Sequence, residues 1–324
     1  MSISSKSVLV TGGAGFIGSH VVDRLAELKV KNLVVIDDFS LGKDRNLAYA
    51  KKAYPKLKVY EQDLADEKAT RKVLEAEGIE VVFNLAVIPL PASLVKPEHT
   101  FMENVAMTMA ICEAQREKLF DTLIHFSSSE VYGTAIQPLM TEEHVLGALT
   151  PYAASKAACD HLVFSYRSTF GADSAIIRPF NNYGPRQNEG TYAGVIPLTI
   201  KRIMHGEPPI IYGDGKQTRD YIFVRDTAQA AIDVYESEKT RGRVLNIASG
   251  KEVSINHLVK VICQEMGFKG EVRHEPERPG DVRRHVADIS LSKKLIGFEP
   301  KTPLEDGMKE TIEWYKRNIQ LEAR

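Results

Sequence analysis

Tyr152 and Lys156 stand four residues apart in Thr150-Pro151-Tyr152-Ala-Ala-Ser-Lys156, a spacing that puts both side chains on one face of a helix. Thr150 is placed to cap that helix and Pro151 to occupy its first position. A phenol, with an ordinary pKa near ~10, is a poor base at neutral pH, but a neighbouring ammonium favours the phenolate. The pair therefore predicts proton transfer at a substrate oxygen, with Tyr152 as the base and Lys156 as its electrostatic partner. The same spacing arises by chance on solvated helices, so its meaning rests on what surrounds it. Upstream, Ser127-Ser128-Ser129-Glu130 offers a hydroxyl and a carboxylate, although a serine run can also simply end a strand and a Glu can simply face water.

A second constellation lies near the start. Val8-Leu-Val-Thr-Gly12-Gly-Ala-Gly15-Phe16-Ile17-Gly18 reads as a strand, a glycine turn and the opening of a helix. Glycines there permit a tight turn and a close backbone approach to a pyrophosphate, which then sits at the positive helix N-terminus. Asp37 follows Gly18 by 19 residues, at the end of a second apolar run. An acidic group in that place accepts hydrogen bonds from ribose hydroxyls and repels a 2′-phosphate, so NAD is expected rather than NADP. The adjacent Asp38 could share the role.

These groups need a scaffold. Apolar runs at 7–11, 32–37, 81–86, 122–127 and 174–178 alternate with amphipathic stretches at 18–28, 67–77, 104–118 and 152–170. The alternation predicts an α/β protein with a Rossmann-type, doubly wound parallel sheet. After Arg178 the texture shifts to Gly, Pro, Asn and Tyr, as in 179–194 and 206–220, which suits binding loops. The expected division is a dinucleotide-binding domain over 1–178 and a smaller C-terminal substrate-binding lobe over 179–324, with room for some of its segments to rejoin the first sheet.

Composition narrows the partners. Lys and Arg number 42 against 43 Asp and Glu, a net charge of −1, so no global field favours nucleic acid or an anionic membrane. Three dispersed cysteines, Cys112, Cys159 and Cys263, argue for a reducing compartment and against a disulfide framework. No His-Glu-x-x-His pattern or closely spaced Cys/His set suggests a metal site. His125, on a predicted strand, is read as a core histidine, and Arg283-Arg284-His285 as phosphate-side or solvated charge. With no membrane-length apolar run and no signal-peptide pattern, the expected location is the cytoplasm.

Taken together, the glycine motif, Asp63-Leu64, Asn84-Leu85-Ala86, Ser127-Ser-Ser-Glu-Val-Tyr-Gly133 and the Tyr152/Lys156 pair resemble the extended short-chain dehydrogenase/reductases. Arg178-Pro-Phe-Asn181-Asn-Tyr-Gly-Pro185, Gly213-Asp-Gly-Lys-Gln-Thr-Arg219-Asp and Arg278-Pro-Gly-Asp281 extend the resemblance to the nucleotide-sugar epimerase/dehydratase branch, over essentially the whole chain. The resemblance implies Tyr152 as base at the sugar 4-hydroxyl, Lys156 as its partner and Ser128 as the third, hydrogen-bonding member. It places Gly12, Gly15, Phe16, Ile17, Gly18, Leu85 and Ala86 along the cofactor and Asp63 and Leu64 by its adenine. Asn104 is counted with the cofactor set as a support of the active-site helix. Asn181, Arg219 and Arg278 would hold the nucleotide diphosphate, with Asp281 near the nucleoside; the planar arginine fork suits phosphate oxygens. A homodimer is expected through the helices at 104–118 and 152–170.

The implied first step moves the C4 hydride to NAD and leaves a 4-keto sugar. A carboxylate at Glu130 could then remove the acidified C5 proton and promote loss of the C6 hydroxyl. Glu130-Val-Tyr-Gly-Thr134 and Thr141-Glu-Glu-His144 are similar to dehydratases acting on UDP-N-acetylhexosamines. Three departures stand against this: Ser129 where many dehydratases carry Asp, no charged residue in 87–93, and Asn84 where His is more usual. The expected reaction is 4,6-dehydration of a nucleotide-sugar, with UDP-sugar 4-epimerisation and then UDP-glucuronate decarboxylation as alternatives. A non-catalytic NAD-binding scaffold is the reading from a different class, although it would not need Tyr152, Lys156 and Ser128. A carbonyl reductase would consume reduced cofactor.

Overall fold

Strands covered on both faces read as near-continuous apolar runs, and Val8-Leu-Val10 and Leu33-Val-Val-Ile36 are of that kind. The computed structural model, which describes residues 2–190, 193–277 and 282–318, builds them into a seven-stranded sheet. Its strands are β1 (Ser7–Thr11), β2 (Asn32–Asp37), β3 (Lys58–Glu61), β4 (Val81–Asn84), β5 (Thr122–Phe126), β6 (Asp173–Pro179) and β7 (Val244–Ile247). They lie in the order β7-β6-β5-β4-β1-β2-β3, with every neighbouring pair parallel. The order reverses between β1 and β4, which opens a crevice at their carboxyl ends.

The longer helices are α1 (Phe16–Glu27), α2 (Glu67–Glu77), α3 (Pro97–Arg116), α4 (Pro151–Phe170), α5 (Val195–Met204), α6 (Val224–Glu236), α7 (Ile255–Met266) and α8 (Leu304–Asn318). Successive residues of each strand serve opposite faces. Val8, Val10, Val35 and Phe83 pack with Val22 and Leu25 of α1 and with Ala231 of α6. Leu9, Val34, Ile36 and Val82 pack with Leu74 of α2, Ile111 of α3 and Val163 of α4. A separate core of Tyr183, Ile200, Phe223, Leu258, Met308 and Ile312 unites α5, α7 and α8 in a smaller lobe. Residues beyond 179 therefore serve both bodies: β7 pairs with β6 at the sheet edge, and α6 covers the α1 face. No helix among the described residues is long and apolar enough to cross a membrane.

Two expected boundaries shift for physical reasons. The fourth strand stops at Asn84 rather than 86, because the Leu85 and Ala86 N–H groups turn to the Thr11 hydroxyl at 3.0 and 3.2 Å. α3 begins at Pro97 rather than 104, since proline is well suited to a first helical position and two further turns precede the apolar face.

α4 carries the candidate base, and a buried ion pair fixes it to the sheet. Arg178 of β6 reaches Asp160 of α4 through Nε and Nη2 at 3.0 and 2.8 Å, and both residues are buried. Removing one partner strands a charge in the interior. Asp160→Ala is therefore expected to lower the unfolding free energy by about 3–5 kcal/mol, measured by urea unfolding. An apolar replacement of both partners should recover much of that loss.

Candidate active site

Around the β1/β4 switch point the chain encloses a cleft of about 410 Å³. Gly12 follows β1 with φ +65°, and a Cβ on it would lie 2.8 Å from the Ala86 nitrogen. A Cβ on Gly18 would lie 2.1 Å from the Gly12 carbonyl oxygen, so the helix can press against the turn only with glycine there. The N-cap of α1 is Gly15, which brings no side chain to its first turn. Phe16, Ile17 and Gly18 line the cleft, so this helix end can meet a diphosphate.

Asp37 stands at the end of β2, buried and facing the cleft. Its Oδ2 accepts from the Ala14 N–H at 2.8 Å and its Oδ1 from the Phe39 N–H at 2.9 Å. Burial nevertheless outweighs these donors and leaves its carboxyl above the usual range. Asp38 lines the same wall, its Oδ1 accepting from the Ser40 N–H and hydroxyl. Asp63, Leu64, Leu85 and Ala86 complete this side. A glycine cradle that Cβ atoms would fill, a bare helix N-terminus and a carboxylate with spare acceptor sites together fit a dinucleotide such as NAD.

At the other end, the Thr150 hydroxyl accepts from the Ala153 N–H at 3.1 Å and so caps α4 with Pro151 in its first turn. Tyr152 and Lys156 both reach the cleft wall beside Ser128. The Ser128 hydroxyl hydrogen-bonds the Tyr152 phenol and accepts from the Glu130 N–H at 3.2 Å. The ammonium of Lys156 is buried and donates to the Phe126 carbonyl, and burial pushes its pKa down.

The surroundings of Tyr152 act on its phenol in both directions. Burial comes first and pushes Tyr152 up to about 12; the Ser128 hydrogen bond opposes this, and the nearby Glu130 carboxylate adds to it.

Four expected site residues lie outside the described wall of the cleft: Asn104, Glu130, Asn181 and Arg219. Asn104 works from behind it. Its Oδ1 accepts from the Ile88 N–H at 2.8 Å and its Nδ2 donates to the Ser155 hydroxyl at 3.0 Å, tying the loop after β4 to α4. Glu130 sits in the turn behind Ser128 and acts on Tyr152 through its charge. The Asn181 side-chain nitrogen is buried with no protein partner. Arg219 donates to the Thr218 carbonyl at 2.9 Å and to the Val282 carbonyl. Arg278 and Asp281 lie outside the described residues.

Other readings resolve into local structure. Asn84 is buried and stitches the strand ends, accepting from Thr11 at 2.7 Å and meeting His125 Nδ1 at 3.2 Å. His125 is a buried core residue held well below its ordinary pKa by burial first and the charge of Lys156 second. Arg283 and Arg284 pair with Asp214 and Glu252, whereas His285 is buried with Nε2 3.1 Å from the Ser129 carbonyl.

Sequence reasoning missed part of the wall: Gly42 and Lys43 from the loop after β2, Val87 to Pro89 after β4, and Phe180, Asn182 and Glu189 beyond β6. Apart from Asn182, on the short strand Asn181–Tyr183, these residues sit in irregular segments, where no periodicity marks which side chains turn inward.

Comparison with known proteins agrees with this geometry. The profile of the family described as GDP-mannose 4,6 dehydratase matches residues 9–311. A UDP-glucose 4-epimerase of Mycolicibacterium smegmatis is 33% identical over 314 residues, covering 96% of this chain and 99% of that protein. The crystal structure of a UDP-glucose 4-epimerase of Thermotoga maritima with UDP-glucose superposes with a TM-score of 0.91 at 31% identity, covering 97% of this chain and 100% of that one. A dTDP-glucose 4,6-dehydratase of Streptomyces venezuelae with NAD bound gives a TM-score of 0.90 at 29% identity, covering 96% and 97%.

Proposed function

Because the chain belongs to the GDP-mannose 4,6-dehydratase family of NAD-dependent nucleotide-sugar epimerases and dehydratases, we propose that it is a 4,6-dehydratase of a UDP-sugar. At the coarser level it is an NAD-dependent enzyme that modifies nucleotide-sugars. Bound NAD supplies a hydride acceptor and, in its oxidised form, a positive charge. The protein's own contribution is proton handling. Tyr152 takes the proton of the sugar 4-hydroxyl, Ser128 steadies the phenol oxygen by hydrogen bonding, and Lys156 is held in place by the Phe126 carbonyl. Glu130 then removes the C5 proton made acidic by the adjacent ketone. With Ser129 where a second acid would stand, Glu130 itself passes that proton to the departing C6 oxygen, which leaves as water; the hydride taken from C4 would then be returned to C6 and a proton to C5, so the sugar loses one water overall. Asn181, Arg219, Arg278 and Asp281 are assigned to the nucleotide diphosphate end.

One observation supports dehydration most directly: Glu130, whose backbone N–H donates to the Ser128 hydroxyl, carries a carboxylate whose charge bears on the Tyr152 phenol. A 4-epimerase is the second reading, favoured by Ser129, whose hydroxyl is no acid for a leaving group. Incubation with UDP-, dTDP-, GDP- and CDP-sugars, with product masses recorded, separates the readings. Loss of one water from a UDP-sugar is expected. An unchanged mass with C4 inversion would replace dehydration by epimerisation, and loss of carbon dioxide would replace it by decarboxylation. The same reading takes the protein as a homodimer through the outer faces of α3 and α4, where Met102, Met109 and Phe170 are exposed.

A further inference from the structure

One carboxylate of the cleft wall, Glu189, is held by two cations. Glu189 and Lys43 both line the cleft, from segments far apart in sequence. Lys43 Nζ donates to Glu189 Oε1, and Arg45 Nη2 donates to the same oxygen at 2.6 Å. The Glu189 side chain is only 13% exposed. Burial alone would push its carboxyl up, yet Lys43 and Arg45 outweigh burial and hold it below the usual range.

The segment that carries Glu189 is stitched along its length. The Pro185 carbonyl meets His20 Nε2 at 3.0 Å and Arg186 pairs with Asp23 at 2.7 Å, both on α1. The Gln187 carbonyl accepts from the Tyr315 hydroxyl of α8 at 2.6 Å, and the Glu189 carbonyl accepts from Lys201 of α5 at 3.0 Å. Across the cleft, the loop bearing Lys43 presses on Asp37: a Cβ on Gly42 would lie 2.4 Å from Asp37 Oδ1. The ion pairs thus join the loop beside the expected ribose acceptor to the smaller lobe.

We propose that Glu189, Lys43 and Arg45 form an ionic strap that closes the Asp37 end of the cleft and retains NAD between turnovers. A reaction that takes a hydride from the sugar and later returns it fails if reduced cofactor escapes midway. A clasp at the far end of the cleft opposes that escape without touching the reacting atoms. Because the carboxylate is mostly buried and serves two cations, the clasp holds better than an exposed pair, but both cations are partly exposed and stay open to screening by salt. The inference rests on the NAD site alone, so failure of the dehydratase reading leaves it intact.

The test is release of labelled NAD from the purified holoenzyme, chased with excess unlabelled NAD at low and high salt. Glu189→Gln should release NAD about tenfold faster, equivalent to about 1.4 kcal/mol, and lose most of the salt dependence expected of the wild type. The reversed triple variant Lys43→Glu, Arg45→Glu, Glu189→Lys should return towards the slow rate, which loss of packing alone would not do. If Glu189→Gln proves unstable, Lys43→Gln with Arg45→Gln interrogates the strap from the other side with the same expectation. Release within about twofold of wild type in variants with unchanged melting, or a reversed variant as fast as Glu189→Gln, would overturn the proposal.

Discussion

Tyr152→Phe should lower turnover roughly a thousandfold or more, the scale of a lost proton-transfer group, while NAD affinity changes by less than about threefold. The substitution keeps the ring that helps form the cleft wall and removes only the oxygen hydrogen-bonded to Ser128. The glycine turn, Asp37 and the α1 N-terminus are untouched, so cofactor binding has no reason to fail. The pKa adds a direction. With burial and Glu130 pushing the phenol up to about 12, cofactor-free protein should give no phenolate absorbance from Tyr152 near neutral pH. Loading with oxidised NAD should move that ionisation downward, since a nearby cation favours the phenolate. Difference titration of the wild type against Tyr152→Phe, with and without NAD, reads both effects. Undiminished turnover in the variant would remove Tyr152 from the mechanism.

The contrast between Tyr152 and Lys156 illustrates how far the sequence can be read. Spacing correctly puts the two on one helical face, and Thr150 and Pro151 start that helix where their chemistry demands. Spacing says nothing about depth: Lys156 is buried with its ammonium on the Phe126 carbonyl, and burial pushes the phenol pKa up. The sheet follows the same rule. Long apolar runs announce β1, β2 and β5, whereas β3 is a half-exposed edge strand, Lys58-Val-Tyr-Glu61, with little apolar signal. β7 is four residues long with Asn246 inside it, and it is a strand chiefly because β6 offers it an edge. The Asn246 carboxamide is satisfied by Tyr132 at 2.7 Å and by the Met140 carbonyl at 2.9 Å. Such tertiary partners have no local signature. The ion pairs at Glu189 are of the same kind, joining positions 43, 45 and 189 across two loops.

Glu130→Gln is the substitution that divides the candidate reactions, and in a dehydratase it should suppress water loss about a hundredfold to a thousandfold. Gln matches the shape of Glu and keeps the backbone N–H that donates to Ser128, so the turn that holds the catalytic serine should persist. What disappears is a carboxylate whose charge bears on Tyr152. Oxidation at C4 uses Tyr152 and Ser128 and does not need that carboxylate, so a dehydratase variant should still form the 4-keto sugar and then stall. Reduced cofactor should build up on the enzyme and be visible by its absorbance, with the sugar mass lower by two hydrogens rather than by water. Removing a negative charge should also let the phenol pKa fall, because Glu130 raises it. The oxidation step would then be no slower than in the wild type at a given pH. An epimerase behaves differently: its keto sugar turns over and is reduced again without loss of the C5 proton, so the variant would keep most of its rate. Near-normal interconversion of C4 epimers by Glu130→Gln, with no build-up of reduced cofactor, would place Glu130 outside the chemistry and make Ser129, with its neutral hydroxyl, the more informative neighbour of Ser128.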